Sequence, residues 1–425
     1  MSKRIIIVGA GFGGLSAFLG ISRRLHSKDN AEVVLIDKNS YTTYTPLLYE
    51  VASGALFGKT KVADLKAGAT VALSLAELPY PTAVKIFRDE VVRVDAEKRA
   101  IVLKSGKRLA YNALVLSCGS KSFTYGVRGA DKYAYPLKTL DDAQKIRMRL
   151  AAMVANCESR DREAIRVVVV GGGANGVETA AELASAFRLA RRKKKLKAPW
   201  SVLILESGSR LLSQASEPVS QTALWRLRRL GVDVSPATNV LEVGDRWVLI
   251  SPNKKCKWKG SLFAANKKIE ADIVIWAGGV GARSEWKKWG FETDDCGFVK
   301  VDDTLRAKGK KTVWIIGDMA AMETALPRRA PAAIYEGEIA AENLVRFLRG
   351  GKPDKKIKSR SWPLVVPLGG KNAVCSFGIR SYSGMPAFIL RKLADLRYLL
   401  SILSAPRAIS SWWKGGKVYA ENDFR

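Results

Sequence analysis

Two glycine clusters of identical spacing carry most of the chemical information in this 425-residue chain: Gly9-x-Gly11-x-x-Gly14 and Gly171-x-Gly173-x-x-Gly176. The chemistry they suit is the holding of a pyrophosphate. The first glycine permits a tight turn, the second lets backbone come close to the phosphates, and the third lets a helix lie close on a strand. The opening turn of that helix then offers unpaired N–H groups to the anion. A lone cluster of this kind is weak evidence; context makes it specific. Here RIIIV (4–8) runs into the first cluster and RVVVV (166–170) into the second. A helix follows each, through about residue 26 and over about 176–190. Each helix leads to another apolar run that ends in an acid. VVLID ends at Asp37, with Lys38 beside it, and SVLIL is followed by Glu206. Such an acid accepts hydrogen bonds from an adenosine ribose and disfavours a 2′-phosphate, so the second cluster should take NADH rather than NADPH. Arg210 and the upstream run ARRKKKLKAPW are the counter-signal, being groups that attract phosphate.

The elements that position these residues form one strand–helix–strand unit, repeated about 160 residues later. The expected fold is therefore α/β, with two Rossmann-like dinucleotide-binding domains of the two-dinucleotide flavoprotein type and a C-terminal amphipathic membrane-associating region. The first unit, into which the second is inserted, is expected to hold FAD. Gly317-Asp318, at the end of the apolar run TVWIIG, supports this: an Asp there can bond the ribityl chain, and a helix over about 331–349 can aim its N-terminal dipole at the flavin ring. The expected boundaries are 1–113 with 282–349 for the FAD domain, 114–281 for the NADH domain, and 350–425 for the membrane-anchoring region.

Composition narrows the partners. At 47% hydrophobic and 26% charged the chain is globular. Its formal charge of +31 favours anionic partners, whether nucleic acid, acidic lipid or anionic cofactor. The basic residues are spread along the chain without a recognisable nucleic-acid module, so no nucleic acid is expected. Cys118, Cys157, Cys256, Cys296 and Cys375 stand apart, with no CxxC pair, and His26 is the one histidine. No metal site or disulfide framework is expected, which fits a reducing compartment. The run Arg188, Arg191, Arg192, Lys193, Lys194, Lys195 and Lys197 reads as a solvated helix end and loop.

No apolar run is long enough to span a bilayer, but the tail has an amphipathic pattern. Ile389, Leu393, Leu396, Leu400 and Leu403 form one stripe of a helix, with Arg391 and Asp395 on the opposite side and Arg397 at the margin. Trp412 and Trp413 follow, with Lys414 and Lys417 beside them, a composition suited to the head-group level of a membrane. Seven basic residues stand between 380 and 417 against one acid, Asp395. The expectation is a peripheral, monotopic anchor on the cytoplasmic face of the cell membrane. The competing occupants of the stripe are the protein's own core and a second subunit, so a homodimer stays open.

The chain resembles the type II, single-subunit, non-proton-pumping NADH:quinone oxidoreductases. The resemblance rests on VGAGFGGL, YTPLLYEVASG, VLSCGS, VVVVGGGANGVETAAEL, VIWAGGV, WIIGDMA and APAAIYEGEIAAENL, in the family's order over about residues 4–380. It implies FAD, NADH and a membrane quinone, with hydride passing from nicotinamide C4 to flavin N5 and two electrons then passing to the quinone. By resemblance Gly9, Gly11, Gly14, Asp37, Gly119, Gly317 and Asp318 contact FAD, and Pro46 and Leu47 lie near its isoalloxazine. Gly171, Gly173, Gly176, Glu178 and Glu206 meet NADH, with Gly278 and Gly279 near the nicotinamide. Glu178 is the candidate proton relay or, equally, an orienting ligand for the nicotinamide carboxamide. Glu336 and Tyr335 are candidates for quinone hydrogen bonding, core packing being as good a reading of Tyr335. Where the family carries two glutamines at the quinone pocket, this chain has Pro331 and Tyr335, which leaves the quinone type open. One rival is a sulfide:quinone oxidoreductase using Cys157 and Cys375. The other is a non-enzymatic nucleotide-sensing or nucleic-acid-binding flavoprotein.

Overall fold

The computed structural model describes residues 2–54, 71–80, 84–158, 164–253, 265–324, 326–378 and 380–419. The side chains of Cys157 and Lys417, and all of Cys256, lie outside the described residues.

Two five-stranded parallel sheets repeat one arrangement. In the first, the strand order in space is Val313–Ile315, Ala113–Leu116, Lys3–Val8, Ala31–Asp37, Val84–Arg88. In the second it is Ala134–Pro136, Ile273–Trp276, Ile165–Val170, Trp200–Leu205, Val232–Ser235. Strands buried on both faces read as unbroken apolar runs, and Ile5, Ile6, Ile7 and Val167, Val168, Val169 are almost wholly buried. The glycine-opened strand lies at the centre of each sheet, so both clusters sit on the carboxyl edge, where open α/β sheets bind ligands.

The helix after each cluster begins at its middle glycine. Phe12–Arg24 has Gly11 as its cap and ends on Arg23 and Arg24; Ala174–Arg192 has Gly173 and ends on Arg191 and Arg192. Cations in the last turn suit the negative end of the helix dipole, and neither first turn holds an acid that would compete for an anion. Lys193 and Lys194 continue the basic run on the surface.

The helix Ala330–Leu348 opens with Pro331 in its first turn, where a missing N–H costs nothing. It crosses Phe12–Arg24 closely: a Cβ on Gly337 would lie 2.5 Å from the Gly13 carbonyl oxygen. Small residues of the EGEIAAENL block make that approach, which seats Gly317 and Asp318 beside the first cluster.

Two expectations need correction. The boundary at 113/114 falls inside the strand Ala113–Leu116, which pairs with Lys3–Val8, so the first sheet holds the chain through Leu116. The region 350–425, expected as a membrane-anchoring region, also carries a sheet. Leu364–Pro367, Ala373–Phe377 and Arg380–Gly384 form an antiparallel sheet that packs on the helices Ala174–Arg192 and Glu217–Leu230. The helices Met385–Ile402 and Ala405–Tyr419 follow it. No helix among the described residues is long and apolar enough to cross a membrane.

A Cβ at Gly14 would lie 1.8 Å from the Gly9 carbonyl oxygen, an overlap that a shift of the helix must relieve. Gly14→Ala is expected to lower stability by about 2 kcal/mol or more, read as the urea midpoint at unchanged m-value.

Candidate active site

The three glycines of each cluster divide their work identically. Gly9 (φ +96°) and Gly171 (φ +108°) adopt backbone that side chains rarely tolerate. A Cβ at Gly9 would meet the Ser117 carbonyl at 2.3 Å, and one at Gly171 would meet the Cα of Gly278 at 2.7 Å. Gly14 and Gly176 press on the carbonyls of Gly9 and Gly171 at 1.8 and 1.9 Å. Gly11 and Gly173 differ from these: a Cβ there meets nothing within 4 Å. The middle glycines therefore face open space at the helix openings, the space a pyrophosphate needs, and both cradles fit a dinucleotide. Gly119 faces equally open space, while Gly279 (φ +116°) lies against the Tyr125 ring.

The strand-end acids are fixed by backbone. Asp37 Oδ2 accepts from the Ala10 amide at 2.7 Å and Oδ1 from the Asn39 amide at 2.8 Å. Glu206 Oε2 accepts from the Gly172 amide at 2.5 Å and Oε1 from the Gly208 amide at 2.6 Å. Each carboxylate is thereby aimed at its cradle. Lys38, beside Asp37, is exposed. Arg210 donates from Nη2 to the carbonyls of Ser213 and Ala215 at 2.8 and 2.9 Å, which ties its guanidinium to its own loop.

Asp318 is part of a cluster that the sequence does not announce. Its Oδ2 accepts from Ser120 Oγ at 2.7 Å and from Lys138 Nζ at 3.1 Å, while Lys138 also donates to Ser120 at 2.8 Å. Lys138 lies between the second sheet's Pro136 and the helix Leu140–Glu158, so this cluster ties the two sheets' modules together. Glu336 is buried, and its Oε2 accepts from the Gly317 amide at 2.5 Å. Gly317, Asp318, Arg328, Arg329 and Glu336 line a cavity of about 220 Å³. Burial pushes the Glu336 carboxyl up to about 8.

Glu178, early in the second cluster's helix, belongs to a different group. Burial pushes it up to about 8, opposed by Arg391 and reinforced by Glu50 and Asp395. Arg391 and Asp395 come from the tail helix Met385–Ile402. Arg391 donates to the Pro46 carbonyl at 3.0 Å and pairs with Asp395 at 3.5 Å. Asp395 accepts from the Tyr44 hydroxyl at 2.5 Å. The Tyr44 and Tyr398 rings stack at 5.0 Å, and Phe12, next to Gly11, lies 4.9 Å from Tyr398. The tail thus reaches the opening of the first helix and the segment Thr45–Leu47.

The same helix is inverted relative to an ordinary surface helix. Asp395 is 4% exposed, while Ile389 and Leu393 are 50% and 51% exposed. Met385 and Leu400 are exposed on it, and so are Ile409 and Trp413 on the helix that follows. Leu403, expected on the open stripe, is buried instead, because the chain turns there into the next helix and packs on the first module's core. Trp412 is half-buried and donates to the Lys392 carbonyl at 2.8 Å.

Residues 3–337 match the family model described as pyridine nucleotide-disulphide oxidoreductase. The chain belongs to that family. Among curated relatives it is 24% identical over 416 residues to the type II NADH:quinone oxidoreductase of Staphylococcus saprophyticus, with 94% of this chain and 96% of the relative covered. It is 27% identical over 403 residues to the demethylphylloquinone reductase NdbB of Synechocystis, covering 92% and 91%. Among solved structures it is similar to NDH2 from Plasmodium falciparum in complex with NADH, with a TM-score of 0.81 at 20% identity, covering 99% and 97%. The sulfide:quinone oxidoreductase of Aquifex aeolicus shares the fold at a TM-score of 0.74 and 16% identity.

Within this pyridine nucleotide-disulphide oxidoreductase fold, the three side chains singled out for proton chemistry do not meet at one point. Glu178 lies with the tail helix, and Glu336 with Gly317. Tyr335 faces the segment after the long helix: its hydroxyl accepts from the Lys358 amide at 3.3 Å, and its ring lies 5.9 Å from Trp362. Its place is a packing one. Tyr44, Glu50, Ser120 and Lys138 were not foreseen. The one sequence signal for the tail contact was Arg391 and Asp395 on the polar side of an apolar stripe.

Glu178 and Glu336 bind protons more tightly folded than unfolded, at about 8 against an ordinary 4.5. The folded state therefore holds more protons between those values, and stability falls as pH rises through that window. Chemical denaturation across it should show that fall, and Glu178→Gln and Glu336→Gln should each flatten it.

Proposed function

We propose that this chain is an FAD-dependent NADH:quinone oxidoreductase that works on a membrane surface without pumping protons. One observation carries the reading. Glu178, inside the NADH-side fingerprint, lies under the charged face of a helix whose other face is apolar and open to its surroundings. A nucleotide site and a lipid-facing surface are thereby two sides of one helix.

Bound FAD supplies a two-electron carrier between a hydride donor and a quinone. The chain's residues supply binding, orientation and protons. The open turns at Gly11 and Gly173 take the two pyrophosphates, and Asp37 and Glu206 take the adenosine riboses. Glu178, which keeps a proton near neutral pH, can give it to a quinone oxygen. The Arg391–Asp395–Tyr44 group holds the tail helix against Pro46, which closes that side of the site to water.

The sulfide reading lacks support. Cys375 is fully buried, and burial pushes its thiol up to about 11, whereas sulfur chemistry needs an accessible thiolate. NADH should bleach the flavin absorbance in stopped flow while sulfide leaves it unaltered, and decylubiquinone should accept the electrons. Glu206→Ser should narrow the preference for NADH over NADPH by about tenfold, equivalent to ~1.4 kcal/mol. A flavin bleached by sulfide and not by NADH overturns the assignment.

The membrane is met by Met385, Ile389, Leu393, Leu400, Ile409 and Trp413, with Arg397, Arg407 and Lys414 exposed among them for anionic head groups. Removing the whole tail would also strip Arg391 and Asp395 from the site, so point changes on the open face are the cleaner probe. Leu393→Asp with Leu400→Asp should remove roughly 3 kcal/mol of burial, about a hundredfold in partition. Flotation with vesicles containing anionic lipid reads this, with the thermal midpoint unmoved. Undiminished flotation of that variant removes the tail as the docking face.

A further inference from the structure

We propose that Glu50 is the proton store behind Glu178: a buried acid on the short helix Leu48–Ser53 that returns a proton to Glu178 after each quinone is reduced, with Lys392 on its outer side. The proposal rests on the quinone reductase reading and adds to it the route by which the proton arrives.

The Glu50 carboxyl is only half satisfied. The residue is 7% exposed. Its Oε1 accepts from the Tyr49 hydroxyl at 3.1 Å and lies 3.9 Å from Lys392 Nζ. Its Oε2 is buried with no partner among the described residues. An ionised carboxylate is expensive in such a place, and a neutral acid is not. Burial accordingly raises its pKa, with Lys392 opposing and Asp395 reinforcing. Lys392 is half-buried, with about a fifth (22%) of its side chain exposed, so it connects the buried acid to solvent.

Every element packed against Glu50 brings charge or titratable groups. The helix Leu48–Ser53 packs on Ala174–Arg192, which carries Glu178 and Glu182, and on Leu140–Glu158, which carries Arg147. Arg147 donates to the Gly54 carbonyl at 2.7 Å. The tail helix brings Arg391, Lys392 and Asp395, and the Glu50 segment itself holds Tyr44 and Tyr49. Once Glu50 is ionised, its carboxylate raises the proton affinity of Glu178. Two acids coupled this way do not ionise independently: when one loses its proton, the other's proton becomes the one available.

The chemistry requires such a store. NADH delivers two electrons and one proton as hydride. A quinone that becomes a quinol gains two electrons and two protons. One further proton per turnover must come from the medium. When Glu178 gives up its proton, the Glu50 O–H bond breaks as an O–H bond forms on Glu178. Glu50 is left as a carboxylate beside the Lys392 ammonium and recovers its proton from water at that side.

The test compares two acceptors on the FAD-loaded protein in vesicles. Ferricyanide takes electrons and no protons; decylubiquinone needs both. In Glu50→Gln the ratio of quinone to ferricyanide turnover should fall about tenfold or more near neutral pH. The alkaline limb of that ratio should move to lower pH, because Glu178 has lost a neighbouring negative charge. Lys392→Gln should move the same limb to higher pH, because Glu50 has lost its cation. Infrared titration of protonated carboxyls in the protein should show one acid fewer above the ordinary carboxylate range in Glu50→Gln. Glu50→Asp should restore part of the ratio. Parallel loss of both activities, a limb that stays in place in both variants, or an unaltered carboxyl titration overturns the proposal. If Glu50→Gln does not fold, the direction of the Lys392→Gln shift decides. Wild-type protein that reduces ferricyanide but no quinone removes the quinone reading as well; wild-type quinone reduction with an unmoved ratio in Glu50→Gln removes the store alone.

Discussion

The pairing of Arg391 with Asp395 inside the protein is the constraint on which the rest of the site depends. Two buried charges cannot be left single, because removing either partner strands the other in a low-dielectric interior. Tyr44 and the Pro46 carbonyl complete their hydrogen bonding. The tail helix is therefore fixed in rotation as well as position. Its charged face must stay against the site, and its apolar face must turn outward. One ion pair thus decides both where Glu178 sits electrostatically and which apolar surface is left exposed. It also explains why the helix, read by its pattern alone, looks like an ordinary amphipathic helix placed backwards.

Around that pair the two modules contribute in different ways. The first sheet brings Asp318 and, through the close crossing of Gly13 with Gly337, the long helix that carries Glu336. The second brings Glu178 on the first helix of its own fingerprint. Neither module alone contains the charged group under the tail; it forms only where they and the tail meet. This arrangement suits a reaction with three participants, since each of two nucleotides has its own cradle and the tail adds a third side to the site.

The two fingerprints were legible in the sequence because all their determinants are local. Glycine at three positions, an apolar strand before and an acid at the end of the next strand lie within about forty residues of one another. Each corresponds to a feature of the fold that one βαβ unit must have. What was not legible depends on contacts across hundreds of residues. Tyr44 and Asp395 are 351 positions apart, and Ser120 and Asp318 are 198 apart. The boundary at 113/114 failed for a related reason: Ala113–Leu116 is a central strand of the first sheet although the chain turns soon after it toward the second. Tyr335 was left open between quinone hydrogen bonding and packing, and its ring lies against Trp362, a partner that no local pattern reveals.

The Ser120–Asp318–Lys138 cluster has a consequence for how the two halves communicate. Asp318 follows the first sheet's strand and Lys138 belongs to the second module; Lys138 donates to Asp318 Oδ2 and to the Ser120 hydroxyl, which itself donates to Asp318 Oδ2. A ligand that draws on Asp318 therefore also acts on a lysine of the second module. By linkage the effect runs equally in reverse.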